Sequence, residues 1–139
     1  MKTNSRIFRF VEFELYNYDT TKAEIEAIRS DILERIPAVA TDKDYVTGGE
    51  ISNPTEAKGM RLTTNVALLR MQQTVDGIDR ALQLLHEEHY ILFEMKYLKK
   101  KEWQEIVMQM PTSERSYSRK RKELVEMCAL QLGYISEVE

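Results

Sequence analysis

The stretch Ser113-Glu-Arg-Ser-Tyr-Ser-Arg-Lys-Arg-Lys122 carries the densest chemistry in this 139-residue sequence. Its guanidinium and ammonium groups only donate hydrogen bonds, and a planar arginine can grip two acceptors on one flat edge. Its serines add short hydroxyls able to bond at close range. Acceptors that suit the set are phosphate oxygens, for Lys and Ser, and the paired acceptors on a guanine edge, for Arg. On a helix capped by Ser113, the side chains of Tyr117, Leu124, Val125 and Cys128 turn inward. Glu114, Arg115, Ser116, Ser118, Arg119 and Lys122 then face outward, and Arg121 lies near the seam, able to snorkel or to pair with a glutamate. Lys99, Lys100 and Lys101, just upstream, are further candidate contacts.

Other reactive residues lead nowhere comparable. His86 and His89 are three residues apart, which misses the four-residue spacing of zinc-protease helices, and no third ligand is evident. The single Cys128 excludes an internal disulfide. Asp76 and Asp79 share a helix face without a nucleophile or a Gly-rich loop nearby, so a solvated face is the reading. No catalytic residue, metal or cofactor is expected, and the protein is read as a non-enzyme. The net charge of −3 hides an asymmetry: nine basic and three acidic residues give Lys96 to Lys122 a charge of +6, leaving −9 for the rest. A basic face on an acidic body is the footprint of a polyanion binder, although a solvated charged helix has the same composition.

The elements that must position these groups read as helices. Phe8, Val11 and Leu15 fit a helix face, while Val11, Phe13 and Leu15 fit strand alternation; helix is taken. Asp19-Thr20-Thr21 offers a cap for a helix bearing Ala23, Ile25, Ile28, Ile32, Leu33 and Ile36, stopped by Pro37. Residues 37–52, with Gly48-Gly49, read as a mobile loop. Asn53-Pro54 opens a long helix whose stripe is Thr64, Leu68, Met71, Val75, Ile78, Leu82 and Leu85, broadened by Leu62, Val66 and Leu69. Unbroken to residue 86 it would measure roughly 50 Å, with Gly59 and Gly77 as points where it could kink. It should pack on the preceding helix and against its copy in a homodimer. A shorter helix with Trp103, Ile106, Val107 and Met110 on its inward side precedes the break at Pro111-Thr112 and braces the helix beyond. No run approaches the ~20 apolar residues of a membrane span, and the start is too charged for a signal peptide, so no membrane partner and a cytoplasmic location are expected.

The segment from Glu88 to Leu132 resembles the region-four helix-turn-helix of sigma factors, and more closely phage transcriptional regulators of the RinA and ArpU type. Tyr97, Trp103-Gln-Glu-Ile-Val107 and Ser113-Glu-Arg-Ser-Tyr117 carry the likeness, with Tyr16-Asn-Tyr18, Gly48-Gly49 and Ser52-Asn-Pro54 upstream. The sequence departs from the pattern at Pro111-Thr112 and at the small Ser118. The resemblance implies a sequence-specific activator of phage or prophage late genes in a bacterial host, binding double-stranded DNA, with host RNA polymerase as a further candidate partner. A small terminase subunit, which also binds DNA, is the alternative within that class, and a helical interaction module that binds no DNA is the alternative outside it. The expected fold is all-α: an N-terminal helical body over 1–86 with one long helix, then a C-terminal helix-turn-helix over 87–139.

Overall fold

The structure, a computed structural model, describes residues 3–35, 54–110 and 112–136, and among these it is all-α. The helices are α1 (Ser5–Tyr16), α2 (Tyr18–Arg35), α3 (Pro54–Leu84), α4 (Glu87–Phe93), α5 (Trp103–Gln109) and α6 (Glu114–Gln131). A π-helical turn, Glu94–Leu98, continues α4. Among the described residues no helix is long and apolar enough to cross a membrane. The expected loop at 37–52 lies outside the described residues.

The first segment resolves as the helix. Asn4 caps it, its Oδ1 accepting from the Ile7 amide at 2.8 Å, and Val11 and Leu15 are fully buried. One residue separates α1 from α2, and it is Asn17 rather than the expected Asp19-Thr20-Thr21 cap. Its side-chain amide donates to the Phe13 carbonyl at 2.8 Å, while its own carbonyl accepts from the Thr21 amide at 2.7 Å. One asparagine thus satisfies the last turn of one helix and the first of the next.

Two compact units emerge, and they do not follow the expected division after residue 86. Residues 1–21 and 73–139 form one, and 22–72 the other. The reason lies in α1, whose apolar side is used by the C-terminal helices: within the first unit α6 packs chiefly on α1 and α4, and α1 also meets the π turn. Leu92, Met95, Ile106 and Tyr117 form a buried cluster there, with Val107 and Met110 packed against it. Val75, Ile78 and Ala81 of α3 are buried. Tyr18 stacks edge-on against Phe93 at 5.3 Å and donates to Asp79 Oδ1 at 2.5 Å. Asp79 is therefore an anchor for the tyrosine rather than part of a purely solvated face.

In the second unit Ile25 is buried, Ile28, Ile32, Leu68 and Met71 are half-buried, and Arg29 donates to Gln72 Oε1 at 2.7 Å. The 31 residues of α3 stay helical at Gly59, in this unit, and at Gly77, in the first. The residues expected to broaden its stripe stay exposed where they are described, namely Val66 and Leu69.

Candidate nucleic-acid interface

Ser113 starts α6 in extended geometry, its Oγ accepting from the Ser116 amide at 3.1 Å. From there the helix presents three sides. Tyr117, Leu124, Val125, Cys128 and Ala129 are buried, and burial pushes the Cys128 thiol up to about 12, which leaves it un-ionised and inert. Arg115, Arg119 and Lys122 lie within about 60° of one another at ~100° per residue, all three exposed and without an ion pair or hydrogen bond among the described residues. Glu114 and Ser118 are also exposed, on the adjoining side, and Ser116 is half-buried.

The other cations of the basic stretch are committed elsewhere. Arg121 meets Glu12 of α1 in a two-pronged pair, Nε to Oε2 at 2.7 Å and Nη2 to Oε1 at 2.8 Å, and Tyr97 donates to the same Oε2 at 2.7 Å. Burial alone would raise the Glu12 pKa, but these donors outweigh it and hold the carboxyl below its ordinary value. Lys120 is buried to 8% exposure and reaches Glu88 at 3.4 Å, while His89 lies 2.8 Å from Glu123, so both tie α6 to α4. Lys100, at a left-handed φ of 57°, donates to the carbonyls of Tyr16 at 2.5 Å and Tyr97 at 2.8 Å. Two of its three donors therefore clasp the end of α1 to the π turn. Lys101 donates to Gln109 at 2.7 Å, and Lys99 is exposed.

Beside the first turns of α6 opens a cleft of about 460 Å³. Tyr16, Trp103 and Tyr117 supply its aromatic surface, Lys96, Lys100, Lys101 and Arg121 its cations, and Glu102, Glu114 and Ser118 complete the lining. Lys96 points its ammonium at three rings, 5.5 Å from the centroids of Tyr16 and Tyr97 and 6.0 Å from that of Tyr117. Burial works against its charge, but the neighbouring Tyr16 and Tyr117 side chains favour it and its pKa lies above the ordinary lysine value.

The profile of DUF722, described as a protein of unknown function, matches residues 13–129. The chain belongs to the DUF722 family. Searches of curated proteins and of solved structures find no match. The DUF722 match takes in the cleft and the exposed basic side of α6 and begins one residue after Glu12.

In this DUF722 chain the residues read from sequence divide between a free side, the cleft and the helix cap, with Lys99 outside all three. Arg115, Arg119 and Lys122 share one free side, and Glu114 and Ser118 share the cleft with Lys100 and Lys101. Ser113 and Ser116 serve the cap. Trp103 corrects the expected inward position: it is 40% exposed and lines the cleft, because Ile106 takes the buried place on the short α5. Sequence reading missed Lys96 as a site residue. The signal available was its place beside Tyr97 and one turn before Lys99, but its tyrosine partners on α1 and α6 are remote in sequence.

Proposed function

We propose that this protein is a sequence-specific, duplex-DNA-binding transcriptional regulator of the RinA and ArpU kind, an activator of phage or prophage late genes. It uses α5 and α6 as a helix-turn-helix and acts as a homodimer in the cytoplasm of a bacterial host, with host RNA polymerase as a second partner. The observation that carries the reading is the sorting of cations on α6. Arg121 and Lys120 are neutralised inside the fold, whereas Arg115, Arg119 and Lys122 project together from a helix whose opposite side is buried. A helix seated in a major groove needs such an arrangement: rigid backing, and donors free to meet base edges and phosphates.

The test is binding of the full chain to duplex DNA from the region upstream of the neighbouring late genes, read by fluorescence anisotropy. Replacing Arg115 and Arg119 together by alanine should weaken binding by roughly thirtyfold or more, since each lost bidentate contact is worth about 1–3 kcal/mol. Wild-type affinity should also fall steeply between low and moderate salt. Equal binding by the double variant, or none by the wild type, defeats the reading.

A further inference from the structure

The cleft beside α6 has a chemistry that the exposed basic side does not share. Lys96 holds its ammonium 5.5 Å from the centroid of the Tyr16 ring and 6.0 Å from that of Tyr117, and all three side chains line the cleft. Each tyrosine brings a phenol O–H that can donate to whatever enters the cleft. Ser118 adds a third hydroxyl, and the Trp103 ring forms an apolar wall. Arg121 is already matched by Glu12, and the two carboxylates of the lining, Glu102 and Glu114, are exposed. What remains is a set of hydroxyl donors beside the ammoniums of Lys96, Lys100 and Lys101, none of them paired with a carboxylate among the described residues, which suits an anion that only accepts. The position narrows the choice. Glu114, Tyr117, Ser118 and Arg121 face the cleft, and their side of α6 is turned about 100° from that of Arg115, Arg119 and Lys122 at ~100° per residue. A helix lying in a groove with the second side toward the bases has the first side toward one of the two flanking strands.

We propose that the cleft seats a backbone phosphate of the strand flanking the bound groove, with Lys96 as its charged anchor, the hydroxyls of Tyr16, Tyr117 and Ser118 as its donors, and Trp103 against the neighbouring sugar. This rests on the duplex-DNA reading above. A phosphate contact sets register and is indifferent to sequence, so the cleft and the basic side of α6 divide positioning from base reading.

The two roles separate in one salt titration with a short fluorescein-labelled duplex of mixed sequence. Lys96→Gln should weaken binding roughly tenfold and make the log affinity against log salt slope shallower by about 0.9, as for one lost phosphate contact, whereas Lys96→Arg should keep both. An unchanged slope in Lys96→Gln with wild-type binding intact overturns the cleft proposal and leaves the DNA reading standing. Absence of salt-dependent binding by the wild type removes both. Trp103 is the only tryptophan of the chain, so its emission reports on the cleft without any substitution should Lys96→Gln fail to fold. The duplex should shift that emission, and inorganic phosphate at the same phosphate concentration should not. An equal response to inorganic phosphate would make the cleft a seat for a free anion, and no response to the duplex would leave the strand elsewhere; either result overturns the proposal.

Discussion

Glu12 is the residue on which the sorting of charge turns. Its carboxylate is 13% exposed and takes three donated hydrogen bonds, two from Arg121 and one from the fully buried Tyr97, while the Arg121 guanidinium also lies 5.0 Å over the Phe8 ring. Glu12→Gln should cost about 2 kcal/mol in urea unfolding, between the worth of an exposed pair and of a fully buried one, because it leaves Arg121 and Tyr97 without their charged acceptor. The pH dependence has a definite sign. The folded-state pKa of Glu12 is depressed below its ordinary 4.5, so its contribution is present in full above that pH and is lost as pH falls through the folded-state pKa. The stability gap between wild type and Glu12→Gln should therefore be constant from neutrality to about pH 5 and close on further acidification. A gap that widened in acid would show that the pair does not hold Glu12 ionised.

At the scale of elements, the join between α3 and the end of α6 depends on a missing side chain. A Cβ on Gly77 would lie 2.5 Å from Leu132 Cδ2 and 3.2 Å from its Cγ, closer than packed carbons approach. Arg80, one turn further along α3, donates to the Gln131 carbonyl at 3.1 Å and so satisfies the last turn of α6. Beyond it Gly133 takes the left-handed φ of 85° that lets the Tyr134 amide return to the Ala129 carbonyl at 2.9 Å. Gly77 thus trades helix propensity for close packing. Gly77→Ala should destabilise the wild type by about 1 kcal/mol through that clash, yet stabilise a Leu132→Ala background by about 1 kcal/mol, where only the propensity gain remains. Thermal melts of the four proteins decide it; the same sign in both backgrounds would mean that Leu132 moves aside freely.

For the whole molecule, both compact units leave large apolar side chains in solvent, Phe13 and Met108 among those of the first. The first unit holds the cleft and the free cations of α6. The second leaves Leu33, Val66 and Leu69 exposed, at 68%, 47% and 57%. The homodimer of the proposed function is predicted to cover these side chains. Sedimentation should find the wild type dimeric at micromolar concentration, with a melting temperature that rises with concentration. Leu33→Lys with Leu69→Lys should give monomers that still bind a single duplex site through α6, only more weakly. If that pair of substitutions leaves the dimer intact, these side chains lie outside its interface.

The sequence alone was enough for the helices themselves. Their spacing of apolar residues, Pro54 at a helix start, the Ser113 cap and the division of α6 into buried and outward sides are local matters, set within a few turns by backbone geometry and by which side chains water rejects. What the tertiary structure decided is which of the many cations are spent and which are free. Arg121 finds Glu12 across 109 positions of chain, Lys96 finds its tyrosines on α1 and α6, and Trp103 is left to the cleft because Ile106 occupies the core. Two lysines with the same neighbours in sequence are physically alike until packing brings a carboxylate or a carbonyl to one of them. No local pattern encodes that choice, because the partner's distance in space is a property of the assembled helices.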